Sequence, residues 1–344
     1  MRRTKAGSIL AVGAGAALLL VSSLASATDN KGDTGGKGGL GPQTSAPDTT
    51  SNVDETAVLP ITRSVDRANN NRQEQEKPWE VGAVFETHRA FLQDDLASGN
   101  LVYNVYSAYI RYRITDNDSI GIRESVQEDF IADPGEPGAR ADDVAITYTR
   151  SVPLPRHFLF SVTGSLSAPT SLSSQKAGLI TAPRLALSLD KRFGRYIDVS
   201  AHVVGGVFID RYAEAEGGES PNLLGTLTLG VGAEVVMPFH EPLSFGISAT
   251  TSYIWSYDVQ GATSNGTTQD AQYPNQPVQQ TYGGEIYARY VLPTLAGLKS
   301  DIQIAIADGD PGIGGTNYLH DGVGYTYLYN PQNAGMYAAL AVRY

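Results

Sequence analysis

From Trp79 onward, apolar side chains fall on every second position. The cleanest run sets Leu223, Gly225, Leu227, Leu229, Val231, Ala233, Val235, Met237 and Phe239 against Leu224, Thr226, Thr228, Gly230, Gly232, Glu234 and Val236. A period of two places the first set on one face of a β-strand and the second on the other. Leu243 to Tyr257 repeats the pattern with an almost wholly hydroxyl-bearing second face, and Ile197 to Ile209 repeats it again. The same rule predicts about twelve strands, near residues 79 to 88, 101 to 115, 118 to 131, 143 to 152, 156 to 167, 178 to 191, 195 to 211, 222 to 239, 243 to 258, 280 to 292, 298 to 308 and 335 to 344. In the third, Glu124 and Glu128 share a face with Ile120, Ile122 and Val126, which predicts either a bulge or an upper half standing above the apolar zone.

The connections alternate in length. Thr115 to Asp118, Val152 to Arg156, Lys191 to Arg195, Phe239 to Pro242 and Pro293 to Gly297 are short. Between them lie the long polar stretches Ala132 to Asp142, Ala168 to Ala177, Tyr212 to Pro221, Val259 to Gln279 and Gly309 to Ala334. Tight turns at one end and long loops at the other are expected of a transmembrane β-barrel, and an even strand number returns both ends of the chain to the periplasmic side. At roughly 3.3 Å per residue, the longer runs suffice to cross the hydrocarbon layer with tilt. Tyr253, Trp255, Tyr257 and Tyr282 are then expected at the outer interface, with Tyr112, Phe158, Phe239, Tyr290 and Tyr344 at the periplasmic one.

Before Trp79 the pattern differs. Met1 to Lys5 is positively charged, Ile9 to Val21 is apolar with small residues, and Ala25-Ser26-Ala27 offers a small-x-small end. These features predict a signal peptide over residues 1–27, cleaved after Ala27. Residues 28–78 are rich in Gly, Ser, Thr, Asn, Asp and Gln and too poor in apolar groups to bury a core, which predicts a disordered periplasmic tail. The barrel then occupies 79–344.

Composition narrows the choice. The 344 residues are 41% hydrophobic and 18% charged, and no apolar run after the first approaches the length of a spanning helix, so a membrane-spanning reading requires strands. Zero cysteines exclude both a disulfide framework and a lipid-modified cysteine. The formal charge is −11, and loss of Arg2, Arg3 and Lys5 with no acid takes it to −14, which disfavours nucleic acid as a partner. The soluble rival, a secreted β-sandwich, also alternates faces but does not require the loop lengths to alternate.

The last strand carries Met336, Ala338, Leu340, Val342 and Tyr344 on one face and ends in an aromatic residue. In this it resembles the C-terminal strand of bacterial outer-membrane β-barrels, with tyrosine where most of that class have phenylalanine. The resemblance covers Trp79 to Tyr344 and implies contact with outer-membrane lipid and recognition by the barrel-assembly machinery.

Parity also nominates lining residues: Tyr109, Arg111, Arg113, Arg184, His202, Glu234, Glu285, Arg289 and Arg343. Charges of both signs suit either a selectivity ring or a closed salt-bridge network. The expected function is a diffusion channel or transporter for small solutes.

The chemical inventory is thin, with five histidines and neither a Gly-x-Ser-x-Gly elbow nor a His-Glu-x-x-His helix, so no cofactor or metal is expected. A hydrolase alternative rests on His88 near Asp94, Asp95 and Asp210 at the outer rim, and a surface-binding or structural barrel on the Val259 to Gln279 loop. Asp308-Gly-Asp310 lacks the spaced oxygens of a calcium loop and reads as a turn. Asp133, Glu136, Asp142, Asp143, Glu214, Glu216 and Glu219 crowd the outer loops, where they serve solubility, meet divalent cations or bias passage toward cations.

Overall fold

The computed structural model describes residues 78–90, 102–129, 138–212, 223–256, 278–308, 317–318 and 334–344. Twelve long strands make the wall: β1 Trp79–Ala90, β2 Val102–Arg113, β3 Asp118–Asp129, β4 Val144–Leu154, β5 Phe158–Ala168, β6 Leu179–Phe193, β7 Ile197–Val207, β8 Leu223–Val236, β9 Leu243–Ser256, β10 Val278–Leu295, β11 Leu298–Asp308 and β12 Ala334–Arg343. Each pairs antiparallel with its sequence neighbours, and β1 pairs β12 from Gly82↔Arg343 to Ala90↔Gly335. The ring is therefore closed, with every long strand flanked on both sides, which satisfies the backbone inside a bilayer. Tyr344 extends the seam, its amide donating to the Val81 carbonyl at 2.9 Å.

Alternation decides the faces. Ile247, Ile286 and Val231 are 56%, 64% and 58% exposed on the outside, while Ser244, Glu234 and Arg289 on the opposite parity are buried. An outer face of this kind is stable only against lipid, so the barrel spans a membrane. At the short-turn end Trp79 meets Tyr112 with ring centroids 4.5 Å apart, and the Lys191 ammonium lies 4.4 Å from both the Phe158 and Phe193 rings. Phe239 and Tyr344 are exposed at this end, and Tyr253 and Trp255 stack at 6.5 Å toward the other. Aromatics with a snorkelling lysine suit the interfacial zone. Tyr257 lies outside the described residues.

Departures from simple alternation have local causes. No bulge interrupts β2 against β3, which stay in register from Tyr103↔Asp129 to Arg113↔Ser119. Instead β3 changes partner: Asp118 to Arg123 pair with β4, and Val126 to Glu128 pair with the short strand Ala139–Ala141. The irregularity sits at Asp142 and Asp143, across from Glu124 and Ser125, while Glu128 stays in register with Ala139. In β8 the register shifts between Leu223 and Gly225, and Leu224, which strict parity turns inward, is exposed. The predicted continuous strand to residue 211 breaks at Phe208, after which Ile209–Asp210 pair separately with β6. β10 runs past Pro293 to Leu295, crossing a register shift between Leu292 and Leu295 where a missing ladder donor is tolerated. It then turns at Ala296 and Gly297, both at positive φ.

The stretch Ala168 to Ala177, expected as plain loop, contains the helix α1 Leu172–Ala177. Ser171 caps it, accepting from the Ser174 amide, and Gly178 at φ 74° ends it. Asp143 accepts from the Ser171 amide at 2.8 Å and the Ser174 hydroxyl at 2.6 Å, tying helix to rim. Asp142 accepts from the Ser125 hydroxyl at 2.5 Å. Burial in this rim segment, between the short strand and β4, pushes the Asp142 carboxyl up to about 6 against the lowering effect of Ser125 and Arg123. Of the acidic loop residues, these two anchor structure; Asp133, Glu136, Glu214, Glu216 and Glu219 lie outside the described residues.

Candidate functional site

All nine residues nominated by parity lie on the face opposite the apolar one. Their positions show how the interior is furnished. Tyr109 of β2 stands directly opposite Gly82 of β1, Arg184 of β6 opposite Gly206 of β7, His202 of β7 opposite Gly230 of β8, and Tyr287 of β10 opposite Gly246 of β9. A Cβ at Gly82 would lie 2.2 Å from the Tyr109 ring, at Gly230 2.2 Å from the His202 ring, and at Gly246 2.1 Å from the Tyr287 ring. At Gly206 it would lie 2.9 Å from Arg184 Cγ. Four bulky side chains therefore lie sideways along the wall, each over a neighbouring strand's glycine, rather than projecting across the lumen. Sequence reasoning missed these pairings and Tyr287, although inward glycines inside strands were a visible signal.

The interior divides into two walls. The first runs over β2 to β6. Register connects Arg111, Gly121, Thr147, Ser165 and Arg184 in one row across five strands. The next row connects Ser119, Thr149, Thr163 and Ala186. Thr149 and Thr163 share a hydrogen bond at 3.1 Å, as do Ser151 and Ser161 at 2.9 Å. Arg123 Nη2 donates to Ser107 Oγ at 3.5 Å, and Arg111 lies 3.8 Å from Glu80. Arg184 lies over the Phe208 ring with its Cζ 5.7 Å from the centroid. Guanidiniums and hydroxyls of this wall, together with Ile110, Ile122, Ala186 and Val204, border a depression of about 100 Å³.

The second wall, over β8 to β12 and β1, carries two buried hydrogen-bonded clusters. Arg289 and Tyr287 each donate to Glu234, the tyrosine at 3.1 Å. Tyr337 donates to Glu285 at 2.6 Å, and Gln303 donates to both Glu285 at 2.9 Å and the Tyr337 oxygen at 2.7 Å. Gln303 is 1% exposed and Asp301 is equally sunk. For Glu234 and Glu285, guanidinium, hydroxyl and amide groups replace the water lost on burial. Arg343 lies on the same face of β12, next to β11, and Arg113 at the exposed short-turn end of β2.

His88 belongs to this second wall. It is buried, stacked on Tyr103 at 4.5 Å and Tyr337 at 5.3 Å, with Nε2 3.2 Å from Glu86. Asp210 pairs with Leu179 of β6, five strands from β1 around the ring in one direction and seven in the other. The outer-rim constellation is therefore not assembled by these two residues, and Asp94 and Asp95 lie outside the described residues. No group of three or more His, Cys, Asp or Glu suited to a metal ion occurs among the described residues. Asp308 is buried and paired in β11, while Asp310 lies outside the described residues.

No family model and no curated protein matches the chain. Among solved structures it is similar to an outer membrane channel from Pseudomonas putida F1, with 13% identity and a TM-score of 0.49 over 80% of this chain and 97% of that one. It is also similar to NanC porin, with 8% identity and a TM-score of 0.42 over 77% and 98%, and to KdgM porin, with 9% and 0.38 over 77% and 98%. The class follows from the barrel's own build: closed by β1 and β12, apolar outside and polar within, this chain is a twelve-stranded β-barrel of the bacterial outer-membrane type.

Proposed function

We propose that the protein is an outer-membrane channel through which small hydrophilic solutes diffuse. The reading is carried by four bulky inward side chains, Tyr109, Arg184, His202 and Tyr287, lying flat over glycines of adjacent strands, which draws their bulk out of the barrel axis. The wall between them is hydroxyl and guanidinium, the lining that keeps water and polar solutes solvated. Solved barrels of similar architecture bear the names channel and porin, in keeping with this reading. Tyr109, Arg111, Arg113, Arg184, His202, Glu234, Glu285, Arg289 and Arg343 are its proposed lining residues. Residues 1–27 are the export signal, removed before residues 28–78 remain in the periplasm, and the strand ending at Tyr344 is the segment presented to the barrel-assembly machinery.

The test is single-channel recording of the purified protein in a planar bilayer. Discrete, ohmic conductance steps are expected, and replacing Gly230 and Gly246 by valine, which pushes His202 and Tyr287 inward, lowers the step size. A correctly folded barrel that passes no current overturns the reading.

A further inference from the structure

The first wall carries more than openness requires. Arg111 of β2, Arg123 of β3 and Arg184 of β6 line a single depression whose floor is Gly121, Thr147 and Ser165. The register explains its shape. Arg111 and Arg184 stand at the two ends of one row, with the three small residues between them, and Arg123 follows Gly121 two positions along the same strand face. Large cations therefore flank a low floor of hydroxyls. No aspartate or glutamate is among the residues lining this depression, and the Glu80 carboxylate beside Arg111 stands 3.8 Å away, outside that lining. The carboxylates of the opposite wall, Glu234 and Glu285, are engaged by Arg289, Tyr287, Tyr337 and Gln303.

We infer that this depression is an anion subsite, where a small oxyanion bearing a carboxylate or phosphate group pauses on its way through the barrel, so that the channel favours anions. The inference rests on the channel reading. Guanidinium forks match the planar or tetrahedral oxygens of such a group, and Thr147 and Ser165 donate to its remaining oxygens. About 100 Å³ holds several waters or one such headgroup. Being set in a low-dielectric wall, Arg123 and Arg184, with Arg111 partly offset by Glu80, act on a passing ion more strongly than the same charges at an open surface. Because the sign is opposite to that of the acidic loops, loop charge and luminal charge make opposing predictions. Of the loop acids described, Asp142 and Asp143 are occupied in holding Ser125, Ser171 and Ser174.

The experiment measures reversal potentials across a KCl gradient for the protein purified from outer membranes, with folding followed by heat-modifiable migration in gels. Wild type should favour chloride over potassium. The triple variant Arg111→Gln, Arg123→Gln, Arg184→Gln should lose that preference, and the single Arg184→Gln, retained in case the triple fails to fold, should reduce it by about twofold. The triple lysine variant should keep the chloride preference while weakening block of the chloride current by added anion, because a point charge cannot form the bidentate contact. Gluconate and inorganic phosphate are the two blockers: block by the first alone assigns carboxylates, by the second alone phosphates, and by both the shared oxyanion chemistry. A conducting channel that prefers potassium, or whose selectivity ignores the glutamine substitutions, or that neither anion blocks, overturns the subsite and leaves the channel standing. A folded barrel without conductance removes the channel reading itself, and the subsite with it.

Discussion

The two inner walls are made by one rule of alternation and yet hold their charges in different ways. On β8 to β12 and β1 the carboxylates and Arg289 are sunk among Tyr287, Tyr337 and Gln303, and Glu234 receives a protein donor at each of its two oxygens. On β2 to β6, Arg123 stands 3.5 Å from the Ser107 hydroxyl and Arg111 3.8 Å from Glu80, looser contacts than those of Arg289, and only near the short-turn end does Arg192 pair closely with Asp198, at 3.0 and 3.1 Å. A buried charge whose partners are protein groups is part of the wall, since removing either member leaves the other without water or counter-charge. A charge held by longer contacts at the lumen surface can exchange some of them for a solute. Arg289 thus cements its wall, while Arg111, Arg123 and Arg184 equip theirs.

Substituting matched arginines separates the walls most sharply. Arg289→Ala leaves Glu234 buried without its cation and should cost about 3 to 5 kcal/mol, read from urea unfolding of the barrel in lipid vesicles. Arg184→Ala on the other wall should change unfolding by no more than about 1 kcal/mol while altering ion selectivity. Equal costs would erase the distinction between cementing and equipping charge.

A smaller effect is expected from glycine. Gly246→Val drives a branched side chain into the Tyr287 ring and should destabilise by about 1 to 3 kcal/mol, with the tyrosine's bond to Glu234 lost. Gly164 of β5 has nothing within 4 Å of its missing Cβ, so Gly164→Ala serves as the neutral control in the same unfolding assay.

The smallest effect concerns the rim. The Asp142 carboxyl is raised to about 6 by burial, so the folded rim binds a proton more readily than the unfolded chain does. Its contribution to stability is fully present below the ordinary carboxylate range and is lost as pH rises through about 6. Hydrogen exchange of the Asp142 to Val144 amides should therefore slow as pH falls from 7.5 to 5, beyond the intrinsic pH dependence of exchange, and Asp142→Asn should abolish that extra slowing. An unaltered profile in the asparagine variant would separate the rim from this carboxyl.

Much of the architecture was legible beforehand because a barrel wall repeats one local instruction. Ile302, Ile304 and Ile306 announce a lipid face without reference to any other strand, and the short Asn-Asp and Ala-Gly turns announce the reversals. The exceptions are places where a neighbour overrules the local pattern. Leu224 faces outward because β8 slips one residue against β9, and α1 forms where Asp143, almost thirty residues earlier, accepts from Ser171. His88 looked like a rim histidine from its place at a strand end. It is buried instead because Tyr103 and Tyr337 flank it from β2 and β12.

Alternation along the chain sorts side chains into those that meet lipid and those that meet the interior, since that depends only on the pleat of each strand. Which inward residues meet one another depends on the register between strands and on the closure of β1 onto β12, quantities that belong to pairs of strands and to the whole ring. Arg111 and Arg184 are separated by more than seventy residues, and they share a depression because four successive registers align them across small side chains. The inward position of each arginine is a property of its own strand, and the positively charged depression is a property of five strands held in register.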